Sequence, residues 1–260
     1  MSSDKFPAIG SQLKNCPVIV TLGVCPNFSD YPEWKKKILA DSPRIYFPTS
    51  LYAEMFVAMG KEIFPSIECY RFVGDKIRQT LLFEMLGLPV LRTRVYYGPL
   101  QRQNILHDFP LPFVGKAPRF SSQGQGVFLI STQNELEKYL KHNHPAYIQE
   151  YMPACRDFRV VLAGTKVLLA YERIPDKEEF RANVTLGARI SFEDIPNGVI
   201  DLARSASELC RFNYTGLDIC QSEGRYYILE ANMKFGTSGF RQAGLDLKAI
   251  LCELVQNRMI

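Results

Sequence analysis

Apolar positions along the chain switch repeatedly between a strand-like and a helix-like period. Pro17-Val18-Ile19-Val20-Thr21-Leu22-Gly23-Val24 is short and β-branched, as a strand buried on both faces would be. A helix from Tyr31 to Ala40 ends at Asp41-Ser42-Pro43, and Arg44-Ile45-Tyr46-Phe47 reads as a second strand stopped by Pro48. Ser50 can cap a further helix that runs to Gly60. Asp75 can cap a helix from Lys76 to Leu86 with Ile77, Leu81, Leu82 and Met85 on its apolar face. Strands follow at Val90 to Tyr97 and Phe113 to Lys116, separated by a polar, proline-containing loop from Gly98 to Pro112. A helix at Asn134 to Leu140 and a strand at Ala146 to Met152 complete this stretch.

The last third of the chain begins with two runs, Asp157 to Leu162 and Lys166 to Arg173, around the hairpin signal Ala163-Gly164-Thr165. Asn197 can cap a helix from Val199 to Phe212, and Thr215 to Gln221 and Tyr226 to Asn232 flank a second hairpin signal, Glu223-Gly224-Arg225. Leu247, Ile250, Leu251, Leu254 and Val255 form the inward stripe of a final helix. The pattern divides the chain into an α/β unit over 1–72, a central α+β unit over 73–152 and a largely antiparallel unit over 153–260.

Composition narrows the classes. Lys and Arg total 31 against 27 Asp and Glu, so the chain is only mildly basic and shows no nucleic-acid or membrane surface. Lys35-Lys36-Lys37 reads as a solvated helix face. No signal-peptide order opens the chain, and no apolar run reaches the ~20 residues that span a bilayer. The seven cysteines are scattered with no Cys-x-x-Cys, which suggests reduced packing residues in a cytoplasmic protein. His107, His142 and His144 read as surface residues without partners, and no serine or cysteine has a nucleophile's setting.

The sharpest candidate chemistry lies in the second hairpin. Glu230 and Asn232 share a strand face, and a three-residue loop at Glu223 to Arg225 sets Asp218 opposite Glu230, about 5 Å away at Cβ. A two-residue loop would turn Asp218 to the other face. Two carboxylates and an amide oxygen suit Mg²⁺; a plain polar hairpin face is the alternative. Gly124-Gln125-Gly126 follows Lys116 and can be either a phosphate-cradling loop or a simple turn. It is not a Walker loop, since no Gly-Lys-Ser/Thr follows, and Leu129 stands where a dinucleotide fingerprint needs glycine. Gln149-Glu150-Tyr151-Met152 precedes Pro153, so this strand either ends plainly at the surface or offers unpaired backbone to a base edge.

In their order and spacing these segments resemble the RimK-like branch of the ATP-grasp superfamily, the ribosomal-protein glutamate ligase and its relatives. The resemblance runs from Asp75 to the C-terminus and includes Asp75-Lys76, Phe113-Val114-Gly115-Lys116 and Gln123-Gly124-Gln125-Gly126-Val127. It continues through Gln149-Glu150-Tyr151-Met152, Asp157-Phe158-Arg159, Tyr171-Glu172-Arg173 and Glu179-Phe180-Arg181-Ala182-Asn183. Gly216-Leu217-Asp218-Ile219 and Leu229-Glu230-Ala231-Asn232 complete it.

The resemblance implies an ATP-grasp fold, mixed α+β and α/β, in which two lobes clasp ATP behind a small α/β N-terminal domain. It places Lys76 and Lys116 on the phosphates, with Gln123, Gly124 and Gly126 closing over them. It assigns adenine to Gln149, Glu150, Tyr151 and Met152, ribose to Asp157, and Arg173 to the phosphates. Asp218, Glu230 and Asn232 would hold one or two Mg²⁺ ions, with Mn²⁺ a possible substitute, and Arg181, Asn183 and Arg159 would grip an acyl phosphate. Arg159 is alternatively a ladder charge on an exposed sheet.

The implied activity joins a small-molecule or peptide carboxylate to an amine. An ATP-grasp kinase or a non-catalytic nucleotide sensor is the alternative, and a homo-oligomer is open. Two departures stand out. Ser121 replaces the loop's opening glycine, and Asn232-Met233-Lys234-Phe235-Gly236 replaces the asparagine-serine and proline-glycine turn of the family. Lys234 either binds an acidic substrate or points into solvent.

Overall fold

Four short parallel strands begin the computed structural model, which describes residues 5–119, 126–153, 155–175 and 188–260. They are β1 (Phe6–Ala8), β2 (Ile19–Thr21), β3 (Arg44–Tyr46) and β4 (Glu62–Phe64), in the order β2-β1-β3-β4. Helices α1 (Glu33–Asp41) and α2 (Thr49–Ala58) cross between them, and the short α3 (Ile67–Arg71) follows. Ser50 lies inside α2 rather than capping it; Pro48 stands at the N-cap and makes no side-chain bond. Strand β1 is additional to the expected elements, because Pro7 at its centre removes the donor that a strand normally uses.

Helix α4 (Lys76–Met85) starts at Asp75, whose side chain accepts from the Arg78 N–H. Its buried face differs from the predicted stripe. Leu81 and Met85 are 54% and 77% exposed, whereas Lys76, Ile77, Gln79, Thr80 and Phe83 face inward. Apolar periodicity fails here because the inward polar groups have specific partners: Thr80 Oγ1 meets the Tyr147 hydroxyl at 2.7 Å, and Gln79 reaches the main chain of another sheet.

The central sheet consists of β5 (Thr93–Tyr96), β6 (Phe113–Lys116), β7 (Val127–Ile130) and β8 (Ala146–Glu150), antiparallel in the order β5-β8-β6-β7. Two short helices, α5 (Pro99–Arg102) and α6 (Ile105–Asp108), occupy the segment read as a loop. Helix α7 (Gln133–His142) begins with a reciprocal capping box between Thr132 and Glu135. The histidines are not all without partners: His144 meets Arg102, and His107 lies 3.4 Å from Asp108.

The third sheet is antiparallel: β9 (Arg156–Ala163), β10 (Lys166–Ile174), β11 (Arg189–Ser191), β12 (Tyr214–Ser222) and β13 (Arg225–Asn232), ordered β11-β10-β9-β12-β13. Helices α8 (Asn197–Leu209), α9 (Ser238–Gln242) and α10 (Leu247–Gln256) accompany it. Pro196, not Asn197, occupies the N-cap of α8, whereas Asp246 caps α10 by accepting from the Lys248 N–H. One core joins this sheet to the N-terminal one, with Tyr46, Phe47 and Phe64 packed among Phe158, Phe212 and Leu217.

The seven cysteines are not all reduced. Cys16 and Cys252 form a disulfide, with Cα atoms 5.4 Å apart, that fastens the N-terminal unit to α10. The pairing joins positions 236 residues apart and removes cysteine usage as an argument for a reducing compartment. Among the described residues, no helix is long and apolar enough to cross a membrane.

Candidate active site

The β12–β13 hairpin turns on two residues, Glu223 and Gly224, both at positive φ, with Ser222 opposite Arg225. That register alone would send Asp218 to the wrong face. A bulge between Asp218 and Ile219 in the ladder inserts one residue on β13 and restores Asp218 opposite Glu230. The expected pairing therefore arises by a different route from the expected loop.

Beside this pair, Arg159 on β9 lies opposite Asp218, and Arg173 on β10 lies opposite Asp157. The resulting network is nearly dry. Arg159 bonds Asp218 through two nitrogens, its NH2 group at 2.9 Å from Oδ2, and Arg173 reaches the same carboxylate at 3.2 Å. Arg173 also donates through Nε to Asp157 Oδ1 at 2.8 Å. The exposed-ladder alternative for Arg159 fails, since the side chain is buried in a bidentate pair.

Asn232 donates its amide to Asp218 Oδ2 and to Glu230 Oε1, both at 3.0 Å. One nitrogen thus stands between the two carboxylates, so their oxygens converge closely enough to share a single cation. With the amide turned, the donor set becomes three oxygens, a hard set suited to Mg²⁺.

Two lysines approach from α4 and β6. Lys76 at the first turn of α4 pairs with Glu230 Oε2 at 2.9 Å. Lys116 ends β6 and is buried, with no ion pair among the described residues. The Lys76 N–H donates to the Pro118 carbonyl at 3.1 Å, and Arg119 meets Asp75 at 3.3 Å, so the start of α4 is tied to the chain leaving β6. Gly126 lies beside this segment, its carbonyl accepting from the Ala117 N–H at 2.7 Å.

Burial and charge oppose one another throughout. Burial would raise the Glu230 carboxyl, but the ammonium groups of Lys76 and Lys116 hold it well below the usual carboxylate range. Burial depresses Lys116, with Glu230 opposing and Lys76 reinforcing that shift. Asp157 is pushed up to about 6 by burial, against the pull of Arg173. Among the described residues, Lys76, Lys116, Arg159 and Arg173 outnumber Asp157, Asp218 and Glu230 by one charge, a surplus able to receive an anion.

The segment after β8 differs in detail from expectation. Gln149 donates to Thr93 Oγ1 at 2.9 Å, and Glu150 accepts from the Arg92 N–H at 2.7 Å. Both side chains are occupied within the sheet, so any reading of a base edge falls to backbone at Tyr151 and Met152, which are half-buried. Gln123, Gly124, Arg181 and Asn183 lie outside the described residues.

Gln79 was not among the expected residues. It is 3% exposed and clamps Ala231, donating to its carbonyl at 2.8 Å and accepting from its N–H at 3.0 Å. Ala231 sits between Glu230 and Asn232, so this one amide fixes the strand that carries both. The available signal was a glutamine at the inward phase of a capped helix.

The model of the RimK-like ATP-grasp domain matches residues 73–255. A probable alpha-L-glutamate ligase of Parasynechococcus marenigrum (strain WH8102) is 28% identical over 240 residues, covering 86% of this chain and 50% of that protein. A coenzyme gamma-F420-2:alpha-L-glutamate ligase of Methanococcus maripaludis is 26% identical over 189 residues, covering 69% of this chain and 65% of the relative. The chain thus spans between half and about two thirds of the length of these relatives. Among solved structures, a RimK domain ATP-grasp protein from Sphaerobacter thermophilus superposes with a TM-score of 0.68 at 14% identity, covering 96% of this chain and 98% of that one. D-alanine–D-alanine ligase from Bacillus anthracis gives 0.66 at 14% identity, over 92% and 85% of the two chains. The mixed α+β architecture is accordingly an ATP-grasp fold, and the chain belongs to the RimK-like ATP-grasp family.

Proposed function

We propose that this protein is an ATP-dependent ligase that joins a carboxylate, from a small molecule or peptide, to an amine through an acyl phosphate. The observation that supports this most is the buried Lys76–Glu230 pair beside Lys116, whose ammonium group has no ion pair among the described residues. Nucleotide phosphates supply the negative charge that this arrangement lacks. Lys76 and Lys116 would bind those phosphates, and Asp218, Glu230 and Asn232 would hold one or two Mg²⁺ ions. When bound, the metal neutralises phosphate oxygens so that an anionic carboxylate can approach them. Arg159 and Arg173 keep Asp218 oriented from the opposite side, so Arg159 is better read as a positioning residue than as a grip on the acyl phosphate.

In the reaction, a carboxylate oxygen bonds the γ-phosphorus as the bond to ADP breaks. The amine nitrogen then attacks the acyl carbon, phosphate leaves with the bonding pair, and the amine's proton departs. Similarity to proteins named as glutamate ligases supports this chemistry for the family portion of the chain.

The test combines protein, ATP and Mg²⁺ with pools of acids and amines while ADP and free phosphate are followed. Release of free phosphate only when an acid and an amine are both present is the expected result. ADP formation without free phosphate would replace this reading with a kinase, and absence of turnover across all pools would leave a nucleotide sensor.

Gln79→Met keeps the length of the side chain but removes the clamp on Ala231. Turnover is expected to fall roughly 10- to 100-fold, as when an outer support of a metal site is lost. The measurement is the steady-state rate at saturating Mg²⁺ and ATP beside a melting curve. An unchanged rate in a folded variant would show that β13 needs no clamp.

A further inference from the structure

A cavity of ≈ 640 Å³ opens beyond Asn232, outside the lysine–carboxylate cluster. Its size falls in the range of pockets that enclose small organic ligands. The buried part of its lining is apolar and aromatic: Tyr214, Met233, Phe240 and Leu251. An ionised group set on that floor would lose hydration with no partner to replace it.

The rim has the opposite character. Lys234, Arg241 and Lys248 all line the opening, are exposed, and form no ion pair among the described residues. Arg241 donates only to Ser238 Oγ, at 3.2 Å. The rim's carboxylate, Asp246, already accepts from the Lys248 N–H at 2.8 Å as the cap of α10. Three cations around an apolar floor call for a ligand whose body is apolar and whose outer end is anionic.

The cavity adjoins the candidate active site through one backbone position. A Cβ added at Gly216 would lie 3.0 Å from Phe235 Cβ and 3.1 Å from Arg159 Cδ. Phe235 lines the cavity, and Arg159 holds Asp218. Phe235 of the cavity wall and Arg159 of the ion network thus approach the same side of Gly216, where any side chain would meet both. Met233, on the floor, directly follows Asn232.

We infer that this cavity is the acceptor subsite and takes an apolar α-amino acid, with its side chain on the Tyr214–Phe240 floor and its carboxylate against the Lys234, Arg241 and Lys248 rim. The inference rests on the ligase reading, since it supplies the amine of that reaction. It departs from an acidic acceptor: the rim satisfies one carboxylate, and a second would fall on the apolar floor.

The test is equilibrium binding of phenylalanine, leucine and glutamate to the full chain, with MgADP titrated separately. Phenylalanine and leucine are expected to bind at least about 10-fold tighter than glutamate, as a selectivity built on burial against desolvation requires. Lys234→Ala and Lys248→Ala should each weaken phenylalanine binding roughly 5- to 10-fold through the lost charge–carboxylate contact. Leu245→Glu, at a cavity position 40% exposed, should weaken it similarly. MgADP affinity should be unchanged in all three variants. Glutamate binding as tightly as the apolar amino acids would overturn the inference, as would phenylalanine binding indifferent to all three substitutions. MgADP binding with no amino-acid binding defeats the subsite alone, whereas failure of MgADP to bind the unaltered protein defeats the ligase reading beneath it.

Discussion

Glutamine in place of Glu230 is expected to lower ATP-dependent turnover by roughly 10³-fold or more, about 4 kcal/mol in the barrier, in a chain that still folds. The substitution keeps the shape of the side chain and its bond to Asn232 but removes the charge that faces Lys76 at 2.9 Å and Lys116 beyond it. Without that charge, two ammonium groups repel across the cluster and the oxygen set loses one carboxylate. Stability should fall by about 1 to 3 kcal/mol, the usual cost of depriving a largely buried charge of its hydrogen-bonded partner. The loss has a defined pH dependence. The carboxyl is held below its ordinary value of 4.5 in the folded chain, so the unfolded chain takes up the proton first as pH falls. The charge therefore stabilises the fold fully above pH 4.5 and progressively less below it. Melting curves of the two proteins should diverge at neutral pH and converge in acid. Turnover within about 10-fold of the unaltered protein would remove Glu230 from the metal site, since loss of a true ligand costs far more.

Local chemistry was legible where a residue type has one structural use. Asp75 caps α4, Phe113–Lys116 forms a strand with the expected bounds, and Gly224 lies in the turn that its hairpin signal marks. Periodicity misled where polar side chains face inward. Leu81 and Met85 look like a core stripe, yet Gln79, Thr80 and Lys76 take that side because each finds a partner on another sheet or strand. A one-dimensional pattern cannot register partners that lie far away in sequence. The Cys16–Cys252 bond is hidden for the same reason, since the fold alone brings those positions together.

The site shows the same division. Glu230 and Asn232 could be placed on one face from spacing, but the agreement of Asp218 with them depends on a bulge that no residue in Ile228-Leu229-Glu230 announces. The two arginines on Asp218 were harder still. Arg159 and Arg173 lie on neighbouring strands, and only the β9–β10 and β9–β12 registers bring both guanidinium groups to one carboxylate. The sheet thus creates a charge network from residues to which the resemblance gave separate roles: Arg159 on an acyl phosphate, Arg173 on nucleotide phosphates, Asp157 on ribose and Asp218 on a metal ion.

Lys116→Met should stabilise the ligand-free protein and at the same time weaken its binding of MgADP. Burial pulls the Lys116 ammonium below its ordinary value of 10.5 even with Glu230 nearby, so the folded chain holds this charge at a net cost. Methionine fills similar space without a charge, and removal of that cost should raise stability by about 1 to 2 kcal/mol, or roughly 2 to 6 °C in melting temperature. The gain should be present at neutral pH and shrink as pH rises toward 10.5, where the unfolded lysine also loses its proton. MgADP affinity should fall roughly 10- to 100-fold, because a buried cation aimed at phosphate contributes most where water is excluded. Calorimetry and a nucleotide titration on the same sample measure the two effects together. A variant that melts lower and binds MgADP equally well would mean that Lys116 supports the fold rather than the nucleotide. Opposite signs for stability and affinity are the signature of a group kept charged for a ligand: a purely structural lysine lowers stability when it is removed, and a purely exposed one changes neither quantity.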